Sequence, residues 1–215
     1  MKLVYLEEHS ELSTVSSQVV TVLSKGELVI LPTETQYGLC CDSRNIEALG
    51  RLNEAKRRSA SEPVAVFIPD IESTRDLSDG FTRPVENFVS RFWPGPLTLV
   101  LESSTRDWPG IVTESGTIGL RCSSHPLIQR VVSSTDMLLT ATSANPHDVK
   151  PSASVDDLKK WFSETVSLCV LDASVRDDAV PSTVVQIIGN KPRILRSGAI
   201  TDASVFAAWE KEVDS

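Results

Sequence analysis

Three histidines, and four cysteines with no Cys-x-x-Cys pair among them, leave this 215-residue chain without the ligand spacing of a structural metal site. Cys40, Cys41, Cys122 and Cys169 are expected instead as reduced, mostly buried thiols. Neither a G-x-x-x-x-G-K-[ST] loop nor a G-x-G-x-x-G turn is present, so a bound nucleotide would not sit in either familiar glycine-rich cradle. His9, His125 and His147 stand beside no nucleophile elbow, which argues against a serine-histidine-acid hydrolase. An apolar run of about 20 residues, the length of a membrane span, is also missing. The opening "MKLVYLEEHS" turns acidic within seven residues. No secretory leader is therefore expected, and the cytoplasm is the expected compartment. Cations are few: 21 Lys and Arg against 29 Asp and Glu give a formal net charge of −8. That balance disfavours a surface that wraps a nucleic-acid backbone, but it leaves room for a small basic cleft, since an anion feels the local field.

What is present is an alternation of helical and strand patterns. Leu12, Val15, Val19, Val22 and Leu23 follow helical spacing up to Gly26, which predicts a helix closed by a glycine. "ELVILPTE" reads as a buried strand, and a helix over 44–56 follows Asp42 and Ser43, either of which could cap it. "PVAVFIPD" reads as a strand, 72–92 as a mostly polar helix, and "LTLVLES" as a strand after the break at "WPGP". "TIGLRC", "LLTATSAN" and "SLCVLDAS" are further strands, with helices at "HPLIQRVVSS" and 154–163 between them. "STVVQII" and "RILRSG" flank "GNKP" as a hairpin, and the acidic tail after Gly198 reads as one last amphipathic helix. Helices interleaved with strands, plus a hairpin, imply one α/β domain over 1–215 built on a mixed sheet.

Ligands of open α/β sheets sit beyond the strand ends, and the polar residues of this chain gather there. "PTETQYG" closes one strand and "ATSAN" another; Arg121 ends "TIGLR", Arg196 ends "RILR", and "PST" opens a strand. Each has a plain structural reading as well: Thr33 and Thr35 suit a turn or a cap, Tyr37-Gly38 suits a turn, and each arginine could pair with an acid. The basic stretch "AKRRSASEP", residues 55–63, could be a solvated helix end favoured by the macrodipole, or an anion site. Were the helix to continue, Lys56 and Arg58 would stand about 200° apart around its axis. Ser59, Ala60, Ser61 and Pro63 favour an extended exit, which would put Lys56 and Arg58 on one face and Arg57 in solvent.

Taken in order, "PTETQYGL", "KRRSASEP", "FWPGPLTLVL", "TIGLRCSSHP", "TSAN", "PSTVV" and "ILRSGAI" resemble the YrdC family of threonylcarbamoyl-AMP synthases over residues 27–200. The resemblance implies a twisted, mixed, mostly open α/β sheet with a deep electropositive cavity. It implies an enzyme that joins L-threonine, bicarbonate and ATP, releases pyrophosphate, and supplies the N6-threonylcarbamoyl group of adenosine 37 in tRNA. Carried over residue by residue, Lys56, Arg58, Thr117, Ser143, Ser152 and Arg196 would face ATP, with Lys56 and Arg58 the catalytic pair at the phosphates. Thr33, Arg121, Ala141 and Ser182 would surround threonine, and Tyr37 and Asn145 would shape the pocket. Mg²⁺ would come in with the nucleotide. Downstream tRNA threonylcarbamoyl-transfer proteins would be partners, with weak tRNA contact as a further expectation and no membrane.

The chain departs from the family's pattern in places. Its "SANPHDVKPS" lacks a glycine after Asn145, Lys-Arg-Arg-Ser replaces K-x-R-P, and "DASVRDDAVPST" lacks a glycine pair. Cys40 stands at a usual glycine, and the pattern is that of the short, single-domain form. Two other readings are an RNA-binding module using the same basic cavity and a YciO-like paralogue with altered activity.

Overall fold

The structure, a computed structural model, describes residues 1–7, 11–59, 62–189 and 191–213. His9, Ala60, Ser61 and Asn190 lie outside the described residues. Among the described residues ten strands run in chain order: β1 Lys2–Leu6, β2 Leu28–Leu31, β3 Gly38–Cys40, β4 Val66–Phe67, β5 Leu97–Glu102, β6 Thr117–Arg121, β7 Thr142–Ser143, β8 Val166–Asp172, β9 Thr183–Ile188 and β10 Lys191–Arg196. The helices are α1 Leu12–Leu23, α2 Ile46–Lys56, α3 Thr74–Leu77, α4 Arg83–Val89, α5 Pro126–Val132, α6 Val155–Phe162 and α7 Asp202–Val213.

The mixed α/β architecture expected is present, with its strands shared between two five-stranded mixed sheets instead of gathered in one. The first has the order β1-β8-β2-β3-β7, with β1 and β2 parallel to β8 and β3 antiparallel to both its neighbours. The second has the order β10-β9-β5-β6-β4, and the β9–β10 pair is the expected hairpin.

The apolar run of β2 is continuous because both faces of its sheet are covered. Val29 and Leu31 pack with Val15, Val19 and Leu23 of α1 and with Leu127, Ile128 and Val131 of α5. Leu28 and Ile30 point the other way, into the larger core shared with α2, α4, α6 and α7. The second sheet is covered on one face only. Leu97, Leu99, Leu101, Ile118, Leu120 and Val185 belong to that core, and the residues between them face elsewhere. Trp209 of α7 stands edge-on to Phe88 of α4, centroids 5.4 Å apart, so the acidic tail is an integral part of the core.

Local chemistry explains where sequence expectations and structure part. Asn45, not Asp42 or Ser43, caps α2: its side chain accepts the Ala48 N–H at 3.0 Å, while the Ser43 hydroxyl donates to the Leu138 carbonyl. The stretch 72–92 is two helices, α3 and α4, interrupted where the Ser78 hydroxyl bonds Glu102 and the Gly80 N–H bonds Ser78. "LLTATSAN" contributes only the short β7 and single bridges at Leu139 and Thr140. The two strands missing from the sequence reading are β1 and β3. In the second case the turn falls at 33–36, one step before the Tyr37-Gly38 pair. All four cysteines are free and buried, and no helix among the described residues is long and apolar enough to cross a membrane.

Candidate active site

The uncovered face of the second sheet and the edge of the first enclose a cavity of about 450 Å³. Strand periodicity places its lining: Thr98 and Val100 on β5, Thr117, Gly119 and Arg121 on β6, Val184 and Gln186 on β9, each alternating with a core residue. Thr33, Tyr37, Ala141, Ser143, Ser182 and Arg196 line it as well. Of the twelve residues given a site role from sequence, eight therefore meet at one cavity: Thr33, Tyr37, Thr117, Arg121, Ala141, Ser143, Ser182 and Arg196.

Two guanidinium groups dominate its electrostatics. Arg121 donates through Nη2 to Glu34 Oε1 and to Thr35 Oγ1, both at 2.8 Å, and lies over the Phe67 ring with its centre 5.6 Å from the centroid. Partial burial and the neighbouring charge of Arg121 lower the pKa of Arg196, so the two cations feel each other. Arg196 has neutral partners: it donates from Nη2 to the Ser182 carbonyl and hydroxyl and from Nε to the same carbonyl. Neighbouring cations that repel one another are stabilised by an anion placed beside them.

Thr33 is a turn residue and a lining residue at once. Its hydroxyl accepts the Thr35 and Gln36 N–H groups, both at 3.1 Å, and donates to the Gln36 carbonyl at 2.6 Å. Tyr37 is a rigid wall, its hydroxyl bonded to both the N–H and the carbonyl of Asp172 at 3.0 Å. "PST" and "RSGAI" are stitched together: Thr183 Oγ1 bonds the N–H and carbonyl of Ile200, and the Ala199 N–H donates to Pro181. A Cβ on Gly198 would lie 2.4 Å from the Pro181 carbonyl oxygen, so only glycine allows this approach.

Lys56, Arg58, Asn145 and Ser152 do not line the cavity. The expected extended exit from α2 is replaced by a left-handed cap. Arg57 sits at φ 53°, ψ 41°, and its N–H and that of Arg58 return to Glu54 and Asn53 at 2.9 and 3.1 Å. Arg57 is exposed, as expected, but Lys56 is buried and turned to the backbone of the "TSAN" loop. Its Nζ donates to the Ser143 carbonyl at 2.5 Å and the Asn145 carbonyl at 2.8 Å. Burial, with help from the Arg58 charge and against Glu62, brings the Lys56 pKa down to about 7. Arg58 Nε donates to Asn53 Oδ1 at 2.8 Å, and its Nη2 is buried without a partner among the described residues. Lys56 thus stands directly behind Ser143, a wall residue, rather than in the wall. Asn145 ties its own loop, donating to the Val149 carbonyl at 2.6 Å, and the Ser152 hydroxyl bonds Asp177 at 3.2 Å in the segment before α6.

A family profile described as "Telomere recombination", covering Sua5, YciO and YrdC, matches residues 21–198. The chain belongs to the Sua5/YciO/YrdC family. Within it, a threonylcarbamoyl-AMP synthase of Bacillus subtilis (strain 168) is 30% identical over 211 residues, 94% of this chain and 60% of that protein. One from Pyrococcus abyssi (strain GE5 / Orsay) is 31% identical over 179 residues, 83% of this chain and 52% of the relative. The chain spans about half to three-fifths of the length of these two curated relatives. A solved structure of P. abyssi Sua5 complexed with L-threonine superposes with a TM-score of 0.86 at 26% identity, covering 97% of this chain and 61% of that one. E. coli YciO, at 19% identity and a TM-score of 0.83 over 95% of this chain and 98% of its own, shares the fold.

Members of the Sua5/YciO/YrdC family are identifiable here by short motifs, but several lining residues lie outside them. Thr113 and Ser115 form a hydroxyl cluster with Thr117, with both bonds to Thr113 at 2.8 Å. Thr98 and Gln186 were detectable in principle as polar residues interrupting otherwise apolar strands. Glu34 sits between two threonines already singled out, and only the fold brings Arg121 to it.

Proposed function

We propose that this chain is a threonylcarbamoyl-AMP synthase. It would condense L-threonine, bicarbonate and ATP into threonylcarbamoyl-AMP and pyrophosphate, the product then passing to tRNA threonylcarbamoyl-transfer proteins. The observation that carries the reading is the pair Arg121 and Arg196, two guanidinium groups on one cavity, the first buried and the second open to solvent, whose only described carboxylate contact is Glu34 on Arg121. The reaction needs such a site: threonine's amine and bicarbonate give a carbamate whose oxygen attacks the α-phosphorus, so two anions must be held together.

In this reading Arg121 takes the threonine carboxylate, with Thr33, Ala141 and Ser182 around the amino acid and Tyr37 behind it. Thr117, Ser143 and Arg196 face the nucleotide. Lys56 supplies positive charge through the Ser143–Asn145 loop, and Arg58, its Nη2 without a partner among the described residues, supplies a second cation beside it. Asn145 holds the loop in shape, and Ser152 would reach the nucleotide only with movement of the segment before α6. The protein's own residues do not fit a Mg²⁺ cage: among the described residues no group of three or more His, Cys, Asp or Glu stands together, and Glu34 is tied to Arg121 and Ser123. Mg²⁺ is accordingly assigned to the triphosphate, and the roles above do not depend on it.

Pyrophosphate release measured with ATP, threonine and bicarbonate omitted in turn tests the proposal. Release should require all three. Release that ignores threonine would point to a YciO-like paralogue, and RNA binding that weakens steeply with salt and is indifferent to threonine would point to a nucleic-acid module.

A further inference from the structure

We infer that Glu34 is a positioning residue of this site, fixing the guanidinium of Arg121 at the angle at which a substrate carboxylate meets it; the inference rests on the synthase reading. The two side chains are 15% and 9% exposed and meet at 2.8 Å. The second carboxylate oxygen of Glu34 accepts the Ser123 hydroxyl. Arg121 Nη2 also donates to Thr35 Oγ1; because the Thr33 hydroxyl donates to the Gln36 carbonyl, Thr35 donates in turn to Thr33 Oγ1 at 3.0 Å. Arg121 is thus held at one nitrogen by an ion pair and by the turn that walls the cavity, with the Phe67 ring against its plane. The carboxylate has no exit from this network except by losing its charge.

Burial favours protonation of Glu34, but the charge of Arg121 and the hydrogen bonds from Ser123 and Arg121 outweigh it and hold the pKa below the ordinary carboxylate range. The other groups facing it are Cys122, whose thiol is pushed up to about 11, and His125 at the start of α5, which burial lowers and Asp172 partly restores. Arg196 faces Arg121 from β10.

Glu34→Gln removes the charge and keeps the shape. The cavity becomes more positive, so threonine binding should hold within about threefold. The freed guanidinium should lower kcat by about 10–100-fold, the scale of a misplacement near 1 Å. The acid limb of the wild-type pH–rate profile should vanish in Glu34→Gln and survive in His125→Asn. Ser123→Ala, which weakens only one bond to the carboxylate, should move that limb to higher pH without removing it, and serves where Glu34→Gln does not fold. Wild-type kcat and an unchanged acid limb in Glu34→Gln, or an unmoved limb in Ser123→Ala, overturn the inference. If the wild type releases no pyrophosphate with all three substrates, the synthase reading falls. The difference between wild type and Glu34→Gln in calorimetric titrations of threonine across acid pH then reads Glu34: proton-linked binding in the wild type that Glu34→Gln loses supports the inference, and identical pH dependence overturns it.

Discussion

Arg196 reads both oxygens of Ser182: its Nη2 lies 2.8 Å from the carbonyl and 2.9 Å from the hydroxyl, and its Nε lies 3.1 Å from the same carbonyl. The hydroxyl is fixed from the other side by Thr98 Oγ1 at 2.9 Å. A guanidinium can span these acceptors because its donors are coplanar and forked, whereas an ammonium is a single point.

Arg196→Lys should therefore lower pyrophosphate release by about 10²–10³, the usual cost of losing one donor that stabilises developing charge. The thermal midpoint should change little, because the "PST" segment keeps its bonds through Thr183 and Pro181. Steady-state kinetics and a melting curve on the same preparation check both halves.

Gly198→Ala tests the opposite property, fold without chemistry. The added methyl would meet the Pro181 carbonyl oxygen at 2.4 Å and the Ser182–Thr183 peptide at 2.6 Å, all backbone that cannot rotate away. Overpacking of this kind costs about 1–3 kcal/mol, to be read as a fall in the denaturant midpoint at unchanged slope.

Lys56 gives a pH prediction with a definite sign. Its folded pKa of about 7 lies below the unfolded value of about 10.4, so between these the unfolded chain binds more protons and stability rises with pH. Below about pH 7 both states are protonated and this contribution is flat. Lys56→Met removes the slope, at most about 1.4 kcal/mol per pH unit. The difference between wild-type and mutant urea curves at pH 7 and 9.5 isolates it from the buried thiols, which are common to both.

The general plan of the fold was legible in the sequence wherever one face of an element had to be dry. The period of α1, the unbroken "LVIL" of β2 and the hairpin at β9–β10 all follow from local pattern. The division into two sheets was not, because it depends on which strands pair across long separations, and no local periodicity carries that information. At the site, arginines at strand ends were visible as candidates, whereas the partners that aim them were not. Glu34 and Arg121 are 87 residues apart, and Lys56 and Asn145 are 89. The basic stretch misled in one respect: Ser59 and Pro63 pointed to an extended exit, but Arg57 accepted a left-handed cap at a cost of about 1–2 kcal/mol. That cap turned Lys56 onto the loop carbonyls.

Strands β5, β6 and β9 each present one side to the core and the other to the cavity. A saturation scan that scores abundance and turnover separately should therefore beat in two phases along the same strands. Positions 99, 101, 118, 120 and 185 should register in abundance, and positions 98, 100, 117, 184 and 186 in turnover with abundance largely spared. Substrate preference and foldability would then be written on interleaved letters, so that one can drift while the other stays fixed.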